Sequence, residues 1–426
     1  MRSGVSPGVE TLFLERKSIF LFSMPGIKRE REDEDEDEDE DVNEDDDKDD
    51  DEDNDEVRKE PALVRSLYVE HEHTQRSSNY APLTPCYAVA WSPDGATLAT
   101  GGHEKLVKLW SVATGGCIAS LRGHDDSVSC VEFSPDGATL ATGSYDLTIK
   151  LWTVSTGICR ATLCGHECEG INACAWSPDG SMLASAGGDD TARLWDTVTG
   201  ACKAFLRHTL ETLRSLEFVG PQVWNVCWSS DGDCIASCSD DQTLRLWDVA
   251  GVCKATLTSD DGIWGCAWGK GNRVIAGTSC SGDFEPRVDL WNVSTGRVES
   301  TFTVPGTDHV GHVSFSPCGR WIATAGAAGE GAMAIWSAST GANAATMHVD
   351  HYVSKCPFSP DGTMLAAVTG QGSLYLWMLV WTPANHGMFP AEVRECVLVA
   401  VKSLRRKGLH LEISEIILTF AFSTLL

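Results

Sequence analysis

Seven tryptophans recur at near-constant spacing, and that periodicity constrains the fold more than any other feature of the chain. They are Trp110, Trp152, Trp195, Trp247, Trp291, Trp336 and Trp377, at intervals of 42, 43, 52, 44, 45 and 41 residues. Most follow a tight-turn signal. Ser92-Pro93-Asp94-Gly95 returns at 134–137, 177–180 and 359–362, with variants Ser229-Ser230-Asp231-Gly232 and Ser316-Pro317-Cys318-Gly319. Self-similarity at such a period means that one small unit is built repeatedly and stacked on itself.

The residues between the turns say what the unit is. Val128-Ser129-Cys130-Val131-Glu132-Phe133 is β-rich and runs into a Pro-Asp-Gly turn. Thr139-Leu140-Ala141-Thr142 makes a second short strand. Thr148-Ile149-Lys150-Leu151-Trp152 alternates polar with apolar at period two, and Cys159 to Leu163 follows a Thr-Gly turn. Four short strands with turn residues at each junction cannot bury both faces alone; radial stacking of such sheets does so and leaves only short edges.

With Gly-His at the unit start, Asp six residues before Trp, and Trp-Asp at 195–196 and 247–248, the sequence resembles the WD-repeat (WD40) β-propeller family over residues 63–381. Seven Trp-ended units imply an all-β, seven-bladed propeller. After Trp377 no outer strand follows, while Val64 to Val69 is strand-like and belongs to no unit, so strand 64–69 is expected to close the last blade. The resemblance further implies a buried hydrogen-bonded chain inside each blade. Its members would be His124, Thr142, Asp146 and Trp152 in the second blade, and His166, Ser185, Asp189 and Trp195 in the third. The fourth has Ser237, Asp241 and Trp247; the place of His208 is left open, because the Trp interval there lengthens to 52. A recurring His, Ser and Asp with Trp in fixed register is a structural polar network rather than a hydrolase triad, so no catalytic residue is assigned. Other blades depart from the pattern, with Glu104, Glu285, Glu330 and Gln371 at the Asp position and Gly269-Lys270-Gly271-Asn272 replacing a turn.

By the same register, side chains reach the top face, around the central channel, from two positions. His103, Tyr145, Asp240 and Phe284 precede the turn Asp, and Tyr87, Trp224, Trp264, His309 and Tyr352 lie near the start of first strands. Aromatic rings beside a few polar groups give large contact area at small entropic cost, the chemistry of a protein or peptide docking surface.

Charge and cysteine content bound what remains. Formal net charge is −28, but residues 30–56 hold 22 Asp or Glu against Arg31 and Lys48. A tract of that kind cannot bury apolar surface and is expected to be disordered, as part of an arm spanning 1–62. It is either a solubilising tail or a contact for basic proteins such as histones or ribosomal proteins. No basic face is available for direct nucleic-acid binding. Charged residues break the apolar run near Leu12, and Ile416 to Leu426 falls short of a membrane span. Met24 is a candidate start, since 1–23 differ in composition from the acidic tract that succeeds them. The 17 cysteines include no Cys-x-x-Cys pair, so repeat packing in a reducing nucleus or cytoplasm is expected, with no metal and no cofactor. In the tail 382–426, Val393, Val397, Leu398, Val401 and Leu404 predict an amphipathic helix, with a second from about 411 to 422. Two helices after a ring faintly resemble F-box or SOCS-box modules, which would make the protein a ubiquitin-ligase substrate receptor. The leucine and cysteine spacings of those modules are not met, and no Trp-Asp-x-Arg ends a repeat.

Overall fold

The structure, a computed structural model, describes residues 63–66, 69–70, 84–208, 221–270, 274–280, 286–304, 307, 309–327, 331–349 and 351–379. The acidic tract, the expected C-terminal helices, Phe284, Glu285 and Glu330 lie outside the described residues. Every regular element among the described residues is a β-strand.

Each unit is an antiparallel meander, and the first shows why. Cys86–Trp91, Thr97–Gly102, Leu106–Ser111 and Cys117–Arg122 pair in chain order. Between the first two strands, Ser92 Oγ accepts the Thr97 amide at 2.9 Å, and Asp94 Oδ1 accepts the Ala96 amide at 3.0 Å. Gly95 stands at φ +70°, a backbone conformation that a side chain would strain. Such side-chain-to-backbone bonds are why Ser-x-Asp-Gly makes a tight turn.

Six sheets result. Four meanders, at 86–122, 128–164, 171–207 and 223–258, form four-stranded sheets of their own. The last sheet takes Val353–Lys355, Met364–Thr369 and Ser373–Leu379, and its outer edge comes from the other end of the chain. Leu63–Ser66 and Val69–Glu70 both run antiparallel to Ser373–Leu379, two short strands where one was expected over 64–69. Two meanders expected to stand apart, 262–303 and 309–349, share one eight-stranded sheet. A single pair, Cys280 with His309, joins them.

The core lies between consecutive meanders. Ala99, Val107 and Leu109 of the first pack against Val131, Leu140 and Trp152 of the second. Val89, Trp91 and Leu98 meet Ala366, Val368 and Leu374, which brings the last sheet against the first. Seven such apolar clusters occur among the described residues. Indoles tie neighbouring first strands together as well: Trp176 Nε1 donates to Glu132 O at 3.1 Å, Trp228 to Ala175 O at 3.0 Å and Trp91 to Pro357 O at 3.1 Å. The first strands surround one cavity of 520 Å³, reached by Ala88, Cys130, Cys174, Cys227, Cys266, His312 and Lys355.

The cysteines follow the register only in part. Cys174 and Cys266 are buried in first strands and Cys356 is buried just after one, as packing requires. Cys117 and Cys253 are exposed, and Cys159 and Cys202 half-buried, contrary to the expectation of a packed role. The outer strand shifts register beside each repeat Trp, which turns these thiols outward. Each donates instead to the carbonyl two residues on, at 3.4 Å from Cys117 to Ala119 O and 3.5 Å from Cys253 to Ala255 O.

Candidate functional site

Among the described residues, three meanders hold the same four-residue network. In the second, Trp152 Nε1 donates to Thr142 Oγ1 at 2.9 Å, Thr142 lies 2.7 Å from His124 Nε2, and His124 Nδ1 lies 2.7 Å from Asp146. In the third, Trp195 to Ser185, Ser185 to His166 and His166 to Asp189 are each 2.8 Å. The fourth repeats the chain through Trp247, Ser237, His208 and Asp241, at 2.8, 2.6 and 3.1 Å. His208, whose place the sequence left open, therefore completes a network despite the longer interval after it.

The direction of donation is consistent with a neutral imidazole. Indole N–H donates to the hydroxyl, the hydroxyl donates to Nε2, and Nδ1–H donates to the carboxylate. Burial pushes His124 and His208 below their ordinary pKa despite the neighbouring carboxylates. For Asp189, burial works upward. Bonds from His166, the Thr191 hydroxyl and the Glu167 amide outweigh it and hold the carboxyl well below its usual range. Arg193 at 2.9 Å from Asp189, and Arg245 at 3.3 Å from Asp241, add cations that the sequence pattern did not single out; each Asp lies in the turn before the strand that carries its Arg. Thr142, Ser185 and Ser237 are all 0% exposed, so no substrate can reach these hydroxyls. The fifth meander lacks the network at its centre. Gly277 pairs with Asp289 where Ser185 pairs with Arg193, and a Cβ on Gly277 would stand 2.4 Å from the Trp291 ring.

The same hairpins deliver residues to the rim. Asp146 Oδ1 accepts both the Thr148 amide at 2.9 Å and its hydroxyl at 2.6 Å, across Leu147, which stands at φ 68°. In the second and fourth meanders the residue before the network Asp then points away from the core. Tyr145 is 43% exposed, and Asp240 is exposed where its neighbour Asp241 is buried. His103 is exposed too, with Nδ1 3.2 Å from Ser127 Oγ.

Two aromatic groups form there. Tyr87 and Tyr145 meet edge to face at 6.4 Å, and Tyr352, 39% exposed, lies over Gly370, where a Cβ would meet its ring. Burial, then the adjacent Tyr87 phenol, pushes the Tyr145 and Tyr352 hydroxyls up. The second group comes from the next three units after the third. Trp224 and Trp264 rings stand 5.2 Å apart, and His309 meets Trp264 edge-on at 4.9 Å. Both indoles donate to Asp240 Oδ1, Trp224 at 2.6 Å and Trp264 at 3.1 Å. Sequence register placed these residues at the rim without revealing this shared acceptor, which joins side chains from adjacent sheets.

Within the cavity, burial raises Glu132 to about 8, so that it is largely protonated at neutral pH. Cys227 and Cys266 lie 3.7 Å apart, and burial drives His312 well down. No group of three or more metal-type ligands occurs among the described residues, and no helix there is long and apolar enough to cross a membrane.

Comparison with known proteins fits this geometry. The family described as "WD domain, G-beta repeat" matches residues 77–111, 115–153, 157–196, 211–248, 297–337 and 344–378, more than half of the chain. The protein belongs to the WD40-repeat family. The longest stretch between matches, 249–296, contains the first three strands of the meander with Gly277 and without the turn signal. WD repeat-containing protein slp1 of Schizosaccharomyces pombe is 26% identical over 166 residues, 37% of this chain and 32% of that protein. Protein LST8 homolog of Drosophila melanogaster is 29% identical over 176 residues, 38% of this chain and 54% of that protein. A probable cytosolic iron-sulfur protein assembly protein CIAO1 homolog of Chlamydomonas reinhardtii is 51% identical over 39 residues, 9% of this chain and 11% of that protein. The chain thus spans no more than about half the length of these relatives. WD40 propellers generally mediate protein–protein interaction.

Proposed function

We propose that this WD40 protein is a non-enzymatic scaffold of nucleus or cytoplasm, a ring of seven blades that assembles other proteins at its rim. Counting the eight-stranded sheet as two blades is supported by its single joining pair and by the apolar clusters between successive meanders. The observation that carries the functional reading is a contrast in accessibility. Every hydroxyl in a triad-like setting is sealed inside a sheet, while the rings of Tyr145 and Tyr352 stand exposed. Aromatic side chains with few rotatable bonds are the usual anchors of protein interfaces. The test replaces Tyr145 and Tyr352 together by Ala, and separately Trp264 by Ala, and compares affinity-captured partners by mass spectrometry. Loss of specific partners with unchanged circular dichroism is expected. Identical partner sets from wild type and both folded variants would refute the reading.

A second reading rests on the 22 acidic residues in 30–56. Such a tract attracts basic proteins through solvent, where screening acts over ~8 Å at physiological ionic strength. In this reading the arm raises encounter rates with basic clients and the propeller selects among them. Deleting 30–56 should weaken histone capture at about 50 mM salt far more than at about 500 mM. No change at low salt would leave the tract a solubilising tail.

A further inference from the structure

We infer that Trp224, Asp240 and Trp264 form a receiving site for an arginine side chain carried by an extended segment of a partner protein. This rests on the reading of the rim as a protein-binding face and names the chemistry that one part of it selects.

Asp240 has an unusual setting for a surface carboxylate. Two indole N–H groups from neighbouring units converge on Oδ1, at 2.6 and 3.1 Å, which fixes the carboxylate plane and leaves Oδ2 as an acceptor. The backbone beneath is fixed as well. The Asp240 amide donates to Gln222 O at 3.2 Å, and at Gly262 a Cβ would sit 3.4 Å from both Cα and Oδ1 of Asp240. Among the described residues no Lys, Arg or His forms an ion pair with Asp240, whereas adjacent Asp241 has His208 and Arg245. Burial among the rings raises the Asp240 carboxyl, and the two indoles only partly offset it. The charge of this group is under-compensated, and a cation from outside would complete it.

Ligand shape narrows the choice. A guanidinium is planar, stacks on indole faces and donates in a fork to carboxylate oxygen. Trp224 and Trp264, tilted at 36° with centroids 5.2 Å apart and His309 edge-on to the second ring, present an aromatic row beside the free oxygen. An ammonium is a compact, strongly hydrated charge that gains less from flat rings. An apolar side chain would strip water from Asp240 and return nothing, and an acidic one would be repelled. Fixed rings and a fixed carboxylate reduce the ordering cost of binding.

The test is selection of peptides from a random phage-displayed library on the full-length protein, run in parallel on Asp240→Asn and Trp264→Phe. Arginine should be enriched at one position of the selected peptides. For the best peptide, synthesised, Arg→Gln should weaken binding at least about tenfold, and combining it with Asp240→Asn should cost little more than either change alone. Selected peptides that need Trp264 but carry no arginine would overturn the inference while the rim reading stands, and so would additive losses in the double change. If no selected peptide is sensitive to Trp264→Phe, or to Ala at Tyr145 and Tyr352, the rim reading itself fails and takes the inference with it.

Discussion

Asp240 and Asp241 are adjacent carboxylates with opposite thermodynamic roles, and removing the charge from each should separate them. Asp241 has a fully buried side chain. It accepts from His208 Nδ1 at 3.1 Å, from the Thr243 amide at 2.9 Å and hydroxyl at 2.6 Å, and from Arg245 at 3.3 Å. Asp241→Asn keeps the shape but places an NH2 group among donors and leaves the Arg245 cation without its counter-charge. Breaking a buried charged pair from one side typically costs about 3–5 kcal/mol. For a domain of this size that corresponds to a fall in Tm on the order of 5–10 °C. Asp240→Asn, one residue earlier, retains an oxygen to accept the two indoles and removes a charge that burial disfavours, so stability should stay within about 0.5 kcal/mol or rise. Urea unfolding followed by circular dichroism, with equal m-values, would read both. Equal destabilisation by the two substitutions would refute the division between an inner network and a rim.

Acidification should destabilise the protein in two stages. His124 and His208 have folded-state pKa values below their ordinary 6.5, so below that pH the unfolded chain takes up protons that the folded one does not, and stability falls. Asp146 and Asp241 are depressed below 3.8, which adds a second loss as pH falls past that value; a Tm flat from pH 7 to pH 5 would contradict the first stage. Gly277→Ser restores the residue type of the other networks, yet it should destabilise by roughly 1–3 kcal/mol, because the Trp291 ring occupies the space. A higher Tm for that variant would show that the ring can move aside. Leu147→Gly should gain about 0.5–1 kcal/mol by relieving a left-handed backbone conformation, and a measured loss would mean that the Leu147 side chain matters more than its φ of 68°.

Local pattern carried much of the fold. Ser-x-Asp-Gly turns, period-two strands and Trp spacing are all short-range signals, and each maps onto a turn or a strand pair in the structure. The networks of the second and third meanders were legible because the hydroxyl and Asp members keep a constant distance from the repeat Trp and the His shifts by only one residue. His208 was obscured by the longer stretch after it, though its bonds depend on where the preceding strand ends rather than on residue count. The fusion of 262–303 with 309–349 was not legible, since it rests on one pair, Cys280 with His309. Nor was the outward turn of Cys117 and Cys253, which comes from a register shift that composition does not encode. At the rim, the register could say that Trp224, Asp240 and Trp264 share an end of the ring. It could not say that two indoles from different sheets choose the same oxygen.

The inner network and the rim are physically coupled through the hairpin that joins them. Asp146 and Asp241 each accept the amide and hydroxyl of the Thr two residues on, and so hold Leu147 and Gln242 at positive φ. That conformation turns the chain sharply enough for the preceding residue, Tyr145 or Asp240, to leave the core and stand exposed. Rigidity of the buried carboxylate is therefore what fixes the exposed side chain beside it. Where the buried Asp is replaced by Glu104, a longer side chain reaches Lys108 at 3.1 Å instead, and the residue it displays is His103 rather than an aromatic or acidic group. One repeated framework thus presents His103, Tyr145 and Asp240 from three meanders and only a glycine, Gly188 or Gly370, from two others, so the chemistry of the rim is set one residue at a time.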